Sequence, residues 1–392
     1  KFVAEGFKGV IYATHATRDL CSIMLLDSAK IQESDAEREN KHLKPGQSEV
    51  APLYKVEDVA TALKLFSSYN YEQTFMVHPT VRVVYRDAGH ILGAASVTLE
   101  IDERGKKTRL AFTGDIGRPN RPILDDPKPM PPSDFIICES TYGDREHESA
   151  PGEMEHFTRI VHETLVEKRG KLLIPAFAVG RTQEIVFMLD QLAKAGKLPR
   201  VEVYVDSPLA VDATDIFIHH PECFDAQLHR YMLEDSNPFG FRNLHYVRTT
   251  EDSKAINDSK EPCIIIAASG MMNAGRIRHH LANNIENPNN TLLIVGYCSP
   301  DTPGGQLRAG ATELNFFGER KQVNCRVEIM DSFSAHGDRT EMLAMLSNQK
   351  ERAQAIFLVH GTLDRQEKWA DYLKENGFKY IAIPELGEVV EI

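Results

Sequence analysis

Four short segments each place a metal-capable or proton-carrying side chain just past an apolar stretch: DAGHILG (His90), FTGDIG (Asp115), SFSAHGD (His336) and FLVHG (His360). Imidazole and carboxylate are donors that suit zinc and related divalent ions. A glycine beside each lets the backbone turn tightly enough for donors from separate strands to converge. Any one of these histidines alone reads more readily as a hydrogen-bonded structural residue or a surface residue; four such groups at strand ends shift that balance toward a site. Glu139, directly after the apolar run Phe135–Cys138, adds a second carboxylate in the same kind of position.

The elements that must hold these residues follow from hydrophobic pattern. Val81–Tyr85, Ser96–Ile101, Arg109–Phe112 and Phe135–Cys138 are rich in β-branched and apolar residues and are predicted as strands, with His90, Asp115 and Glu139 following three of them. From about Asp144 the rhythm becomes strand and helix in alternation: Leu172–Ile174, helix Thr182–Ala195, Val201–Val205, a helix-rich stretch, Cys263–Ala267, helix Arg276–Asn284 and Thr291–Val295. That alternation predicts βαβ units around a parallel sheet, and the fold class is α/β. Phe224–Thr250, aromatic and mixed in charge, reads as a surface elaboration, and the adjacent His279 and His280 read as helix surface. After Cys325 short strands return at Arg326–Met330 and Ala355–Val359. With no low-complexity linker anywhere, one domain inserted into another fits better than two in tandem.

A chain of 392 residues exceeds the roughly 250 to 300 that one core supports, so two domains are expected. No apolar run approaches the roughly 20 residues that span a bilayer, which argues against a membrane partner. The six cysteines form no C-x-x-C pair, so neither a disulfide framework nor a thiolate zinc site is indicated, and a reducing cytoplasm is the expected compartment. The net charge of −12 opposes non-specific attraction to a polyanion; a nucleic acid would have to be gripped by local basic groups or by metal.

CESTYGDREH, PAFAVGRTQE, DSPLA, ASGMMNAGR, SFSAHGD and LVHG occur in this order, and together they resemble the β-CASP subfamily of metallo-β-lactamase-fold nucleases, especially bacterial relatives of the endonuclease subunit of mRNA 3′-end processing. The resemblance covers essentially the whole chain. It implies an αββα sandwich from residues 1–143 and 331–392, with a nucleic-acid-binding β-CASP domain, 144–330, inserted between them. It also implies two Zn2+ ions, with His90 a ligand of one, Asp115 a carboxylate bridging both and His360 a ligand of the second. Glu139 and His336 become an acidic residue and its general-acid partner. Arg181, Ser269, Gly270, Arg276 and Ser334 become candidates for holding RNA phosphates, and His147 a residue supporting the site. Single-stranded RNA is the implied substrate, cut endonucleolytically and also in the 5′→3′ exonuclease mode, with a homodimer as a candidate assembly.

The family's main ligand motif, His-x-His-x-Asp-His, lies upstream of the GFKGVIYATHAT region, and the chain starts at Lys1 without it; His15, alone in a Thr-Ala-rich turn, does not replace it. The expectation is therefore an N-terminally truncated catalytic domain that holds zinc incompletely. Thr362 stands where the family usually has Glu. Other readings are a DNA nuclease of the same superfamily, against which His360 speaks, and a non-catalytic RNA- or partner-binding subunit, against which the retained His90, Asp115, His336 and His360 speak. A small-molecule hydrolase would not need the inserted segment.

Overall fold

The computed structural model describes residues 1–44, 47–147, 152–330 and 334–392. The first two residues of SFSAHGD and the boundary position 331 lie outside them. In chain order the first lobe begins with β1 (Ile11–Thr14), α1 (His15–Asn40), α2 (Val56–Leu63) and β2 (Phe66–Tyr69), followed by β3 (Thr74–His78), β4 (Val81–Asp87), β5 (Ala95–Glu103), β6 (Lys106–Phe112) and β7 (Phe135–Cys138). A second run comprises α3 (Glu153–His162), β8 (Leu172–Pro175), α4 (Arg181–Lys194), β9 (Glu202–Val205), α5 (Pro208–His219), α6 (Ala226–Met232), β10 (Leu244–Tyr246), α7 (Thr250–Asp258) and β11 (Cys263–Ala267). It continues through α8 (Ile277–Asn284), β12 (Thr291–Ile294), α9 (Pro303–Arg308), the hairpin β13 (Glu313–Phe316) and β14 (Glu319–Gln322), and β15 (Arg326–Ile329). The last elements are α10 (Arg339–Leu346), β16 (Ala355–Leu358), α11 (Leu363–Glu375) and β17 (Ile381–Ala382).

Two large sheets organise these elements. The first has seven strands in the order β17-β16-β7-β6-β5-β4-β3, so strands from both ends of the sequence share it through the parallel pair β7–β16. Its strand β4 alternates in burial, Val83 and Tyr85 inward, as expected of a strand with one packed face. On one side the parallel pair β1–β2 lies against it through Tyr12, Tyr69 and Phe75, the last two rings stacked at 3.7 Å, with α1 and α2 beyond. On the other side α10 and α11 bury Met342, Leu346, Trp369 and Leu373 against Ala111, Ile136, Ile356 and Leu358. The order of layers is helix, sheet, sheet, helix.

The second sheet has six strands, β10-β9-β11-β8-β12-β15, all parallel where they pair. Its central strands β8, β11 and β12 are buried at every position because helices cover both faces, and they accordingly read as unbroken apolar runs. The two sheets are not independent in packing: Ala16 and Leu20 of α1, with Leu92 and Ile123, belong to the same buried cluster as α4, α5 and the six-stranded sheet.

The segment Phe224–Thr250 departs from expectation. It is not a surface elaboration: Phe224, Leu228 and Phe239 are buried in that cluster, and β10 completes the sheet edge beside β9. Its turns carry the polar residues that suggested a surface, while its aromatics supply the core. His15 likewise is not in a turn; it opens α1, where Thr14 caps the helix by accepting a hydrogen bond from the Thr17 N–H. Among the described residues no helix is long and apolar enough to cross a membrane.

Candidate active site

Strand direction brings the candidate residues together. β4 and β5 are antiparallel, as are β5 and β6, while β6, β7 and β16 are parallel to one another. Hence β4, β6, β7 and β16 all run the same way, and the residues that follow them, His90, Asp115, Glu139 and His360, emerge at one edge of the sheet. Gly117 is where the loops lock. Its N–H donates to the Ala88 carbonyl at 2.7 Å, and a Cβ at Gly117 would lie 1.8 Å from the Gly89 oxygen and 2.6 Å from the His90 nitrogen. Gly117 also bridges His336 in antiparallel fashion, and the Gly337 N–H donates to the Ile116 carbonyl at 2.8 Å. Immediately after His336, Asp338 caps α10 in a reciprocal capping box with Glu341, which fixes the exit of that loop.

Asp115 presents its two oxygens to two histidines: Oδ2 lies 3.8 Å from His90 Nε2 and Oδ1 3.4 Å from His360 Nε2. His90, Asp115 and His336 each bring a ligand-capable atom to within 4.8 Å of the others. The donor set fits a divalent metal: two imidazoles disposed about one carboxylate, none committed to a structural salt bridge with Lys or Arg. His90 Nδ1 is buried beside the Ala335 backbone without making a full hydrogen bond. Burial, with the neighbouring His336 adding to it, pushes His90 down to about 4, so its ring is neutral and its nitrogen lone pair available at neutral pH.

His336 differs from the other two histidines. Its Nδ1 lies 3.2 Å from both oxygens of the buried Glu139 carboxylate, which leaves Nε2 as its free nitrogen. Burial opposes charging His336, but the hydrogen bond and charge of Glu139 outweigh it and hold His336 above its ordinary value. Glu139 is held below the usual carboxylate range against its own burial, chiefly by His336 and further by the Thr141 side chain and the Ile116 N–H. A buried carboxylate thus orients an imidazole beside Asp115 and favours its charged form. His147 supports the same loop, Nε2 lying 2.9 Å from the His336 carbonyl while its backbone N–H donates to Asp338 at 2.9 Å.

The residues proposed for phosphate contact are largely engaged within the protein. Arg181 is buried and ion-paired with Glu184. Arg276 is held by Asp206 at 2.6 Å and by the carbonyls of Val247 and Arg248, which pins the 269–276 turn to its neighbour. Ser269 Oγ donates to Asn273 within its own turn, Gly270 packs beneath the Phe177 ring, and Ser334 is buried two residues before His336. His280 corrects the sequence reading outright. It is fully buried, Nε2 2.6 Å from Asp206 and Nδ1 2.9 Å from Asn257, because α8 packs that face inward; His279, on the outer face, stacks on Phe317 at 4.5 Å.

Sequence reasoning passed over three neighbours of the site. Tyr142 has its ring centre 6.3 Å from that of His336, the Arg365 guanidinium lies 5.8 Å from the Tyr142 ring, and the same guanidinium lies 5.9 Å from the ring of Tyr297 in the other lobe. The TYG step after Glu139 was the available signal for Tyr142; Arg365 and Tyr297 carry no local one.

Residues 182–307 match the Beta-Casp domain and residues 320–384 match the Zn-dependent metallo-hydrolase RNA specificity domain. Ribonuclease TTHA0252 of Thermus thermophilus is 30% identical over 392 residues, covering 100% of this chain and 84% of the relative. The RNase J-like protein of Methanocaldococcus jannaschii is 30% identical over 359 residues, 90% of this chain and 76% of the relative. The transcription termination factor FttA of Pyrococcus horikoshii is 32% identical over 364 residues, 91% of this chain and 53% of the relative, so the chain spans about half of that longer protein.

Proposed function

The chain belongs to the metallo-β-lactamase-fold β-CASP family of RNA-processing nucleases, and from that membership we propose that it is a zinc-dependent ribonuclease hydrolysing phosphodiester bonds in single-stranded RNA, by endonucleolytic cuts and by 5′→3′ removal from an end. The observation that carries the reading is the split of the Asp115 carboxylate between His90 and His360, with the Glu139–His336 pair alongside. We assign residues 1–143 and 331–392 to the catalytic sandwich and 144–330 to the inserted domain; the parallel pairing of β7 with β16 and the separate six-stranded sheet support that division.

His90, Asp115 and His360 would be among the groups holding the two zinc ions of such an enzyme. Bound there, the metal supplies Lewis acidity toward water and toward the phosphoryl oxygens. The chain's own residues do the rest. Asp115 sets the spacing between the donors. Glu139 fixes the ring of His336 and favours its protonated form, so that Nε2 can deliver a proton to the departing ribose oxygen, a contribution of about 10²- to 10⁴-fold for a positioned general acid. Since Asp115 and His360 remain partly open to solvent, a strand can reach them without a lid having to open.

The test, made in the full-length protein, is cleavage of an end-labelled single-stranded RNA with added zinc, compared with duplex RNA, single-stranded DNA and a chelated control. Cleavage confined to single-stranded RNA and abolished by chelation is expected. RNA left intact under saturating zinc, or cutting that survives chelation, would overturn the reading.

A further inference from the structure

Two eight-residue runs in the second lobe have the same unusual burial. In 171–178 every residue is buried except Phe177, and in 291–298 every residue is buried except Tyr297. Phe177 is 43% exposed and Tyr297 46% exposed, although Ala176, Ala178 and Cys298 beside them are all below a tenth. The runs are the neighbouring parallel strands β8 and β12 with the loops that follow them. Their register, Thr291 opposite Leu172 and Leu292 opposite Leu173, brings both rings out at the carboxyl edge of the sheet. Ligands of open parallel sheets bind in the crevice outside that edge.

Both rings are linked to the catalytic cluster through intervening residues. The loop carrying Phe177 continues to Gly180, where a Cβ would touch the Ile91 side chain at 3.6 Å, next to His90. Tyr297 faces the Arg365 guanidinium, which in turn faces Tyr142 and, beyond it, His336. One edge of the Phe177 ring is propped by the Gly270 turn, where even a Cβ would meet the ring at 3.0 Å, and the backbone is tied by the Thr182 hydroxyl donating to the Phe177 carbonyl at 2.8 Å. A ring so braced and yet uncovered loses little entropy on contact and offers a flat apolar face.

We propose that Phe177 and Tyr297 form a stacking platform for the bases of single-stranded RNA on the inserted-domain side of the crevice. The inference rests on the ribonuclease reading and deepens it by naming what grips the substrate. A net charge of −12 gives the chain no general attraction for a polyanion, and Arg181 and Arg276, the cations first suggested, are engaged within the protein. Base stacking supplies affinity without surplus charge, needs an unpaired base with an open face, and tolerates any sequence. Arg365, between Tyr142 and Tyr297, adds a cation beside the platform.

The experiment measures binding in chelator, so that no cleavage intervenes, by fluorescence anisotropy of a labelled oligouridylate and of an abasic oligonucleotide of the same length. Phe177→Ala and Tyr297→Ala should each weaken oligouridylate binding about 5- to 100-fold, as expected for losing one stacked base, and leave abasic binding unchanged. Phe177→Leu, which keeps apolar area without a ring, should lose most of the same affinity, and Phe177→Trp should restore it; thermal melting checks that each variant is folded. If Phe177→Leu binds like the parent, or the losses are equal on the abasic strand, the platform is refuted while the ribonuclease reading stands. A parent that binds neither strand, and cuts no RNA when zinc is added, refutes both.

Discussion

Replacing Gly117 with Ala is the sharpest test of how the catalytic loops are held. A Cβ at this position would sit 1.8 Å from the Gly89 oxygen, 2.0 Å from the Gly89 carbonyl carbon and 2.6 Å from the His90 nitrogen, all of them backbone atoms that cannot rotate away. Carbon and oxygen tolerate little under 3 Å, so the loop bearing His90 and the loop bearing Asp115 must part by about 1 Å, a displacement that costs on the order of 100-fold where reacting groups must be aligned. Overpacking of this kind also costs about 1–3 kcal/mol of stability, too little to unfold a protein of ordinary stability. The expected result is a folded protein with native far-ultraviolet circular dichroism, a slightly lowered melting temperature, reduced zinc content by metal analysis and RNA cleavage reduced by about two orders of magnitude. A Gly117→Ala protein that bound metal normally and cut RNA within a few-fold of the parent would refute the argument that this close approach sets the distance between His90 and Asp115.

Substitutions at the site itself should separate roles: His336→Ala should keep its zinc and slow cleavage by about 10²- to 10⁴-fold, whereas Asp115→Ala should lose both, and metal analysis alongside rates distinguishes them. Because His336 is also one of the three residues whose ligand atoms converge, loss of zinc in His336→Ala would reassign it as a ligand. Burial pushes Asp87 up to about 7, so the folded state keeps a proton that the unfolded chain releases. Its contribution is present in full below the unfolded carboxylate range and is lost as pH rises toward 7. Asp87→Asn, which retains an acceptor for the Gly89 N–H, should match the parent in urea unfolding near pH 4 and exceed it at pH 8 by on the order of 3 kcal/mol; equal differences at the two pH values would refute the assignment. Asp206→Ala removes the shared partner of Arg276, His280 and Ser253 from a fully buried position, and a loss of about 3–5 kcal/mol in chemical denaturation is expected, with a loss under about 1 kcal/mol contradicting the network's structural role.

The parts legible in the sequence were those whose demands are local. β4, β6, β7 and β11 announce themselves because a buried strand must be β-branched and apolar at each inward position, and the runs Phe135–Cys138 and Cys263–Ala267 were located to the residue. His90, Asp115, Glu139 and His360 stood out because each follows such a strand. The tertiary structure decided what depends on partners distant in the chain. That β4, β6, β7 and β16 run in one direction, and so deliver those four residues to one edge, is a property of the pairing order, which periodicity does not encode. Arg276 and His280 look like solvated polar residues on a short helix; only the arrival of Asp206, just past β9 and some seventy residues earlier, makes them part of a buried hydrogen-bond network. Phe224–Thr250 reads as surface because its turns are polar, and becomes core because its aromatics find α4 and α5. Phe177 and Tyr297 are the reverse case, apolar rings that a pattern assigns to the interior and that the fold leaves bare, because the covering layer of helices ends where the strands do.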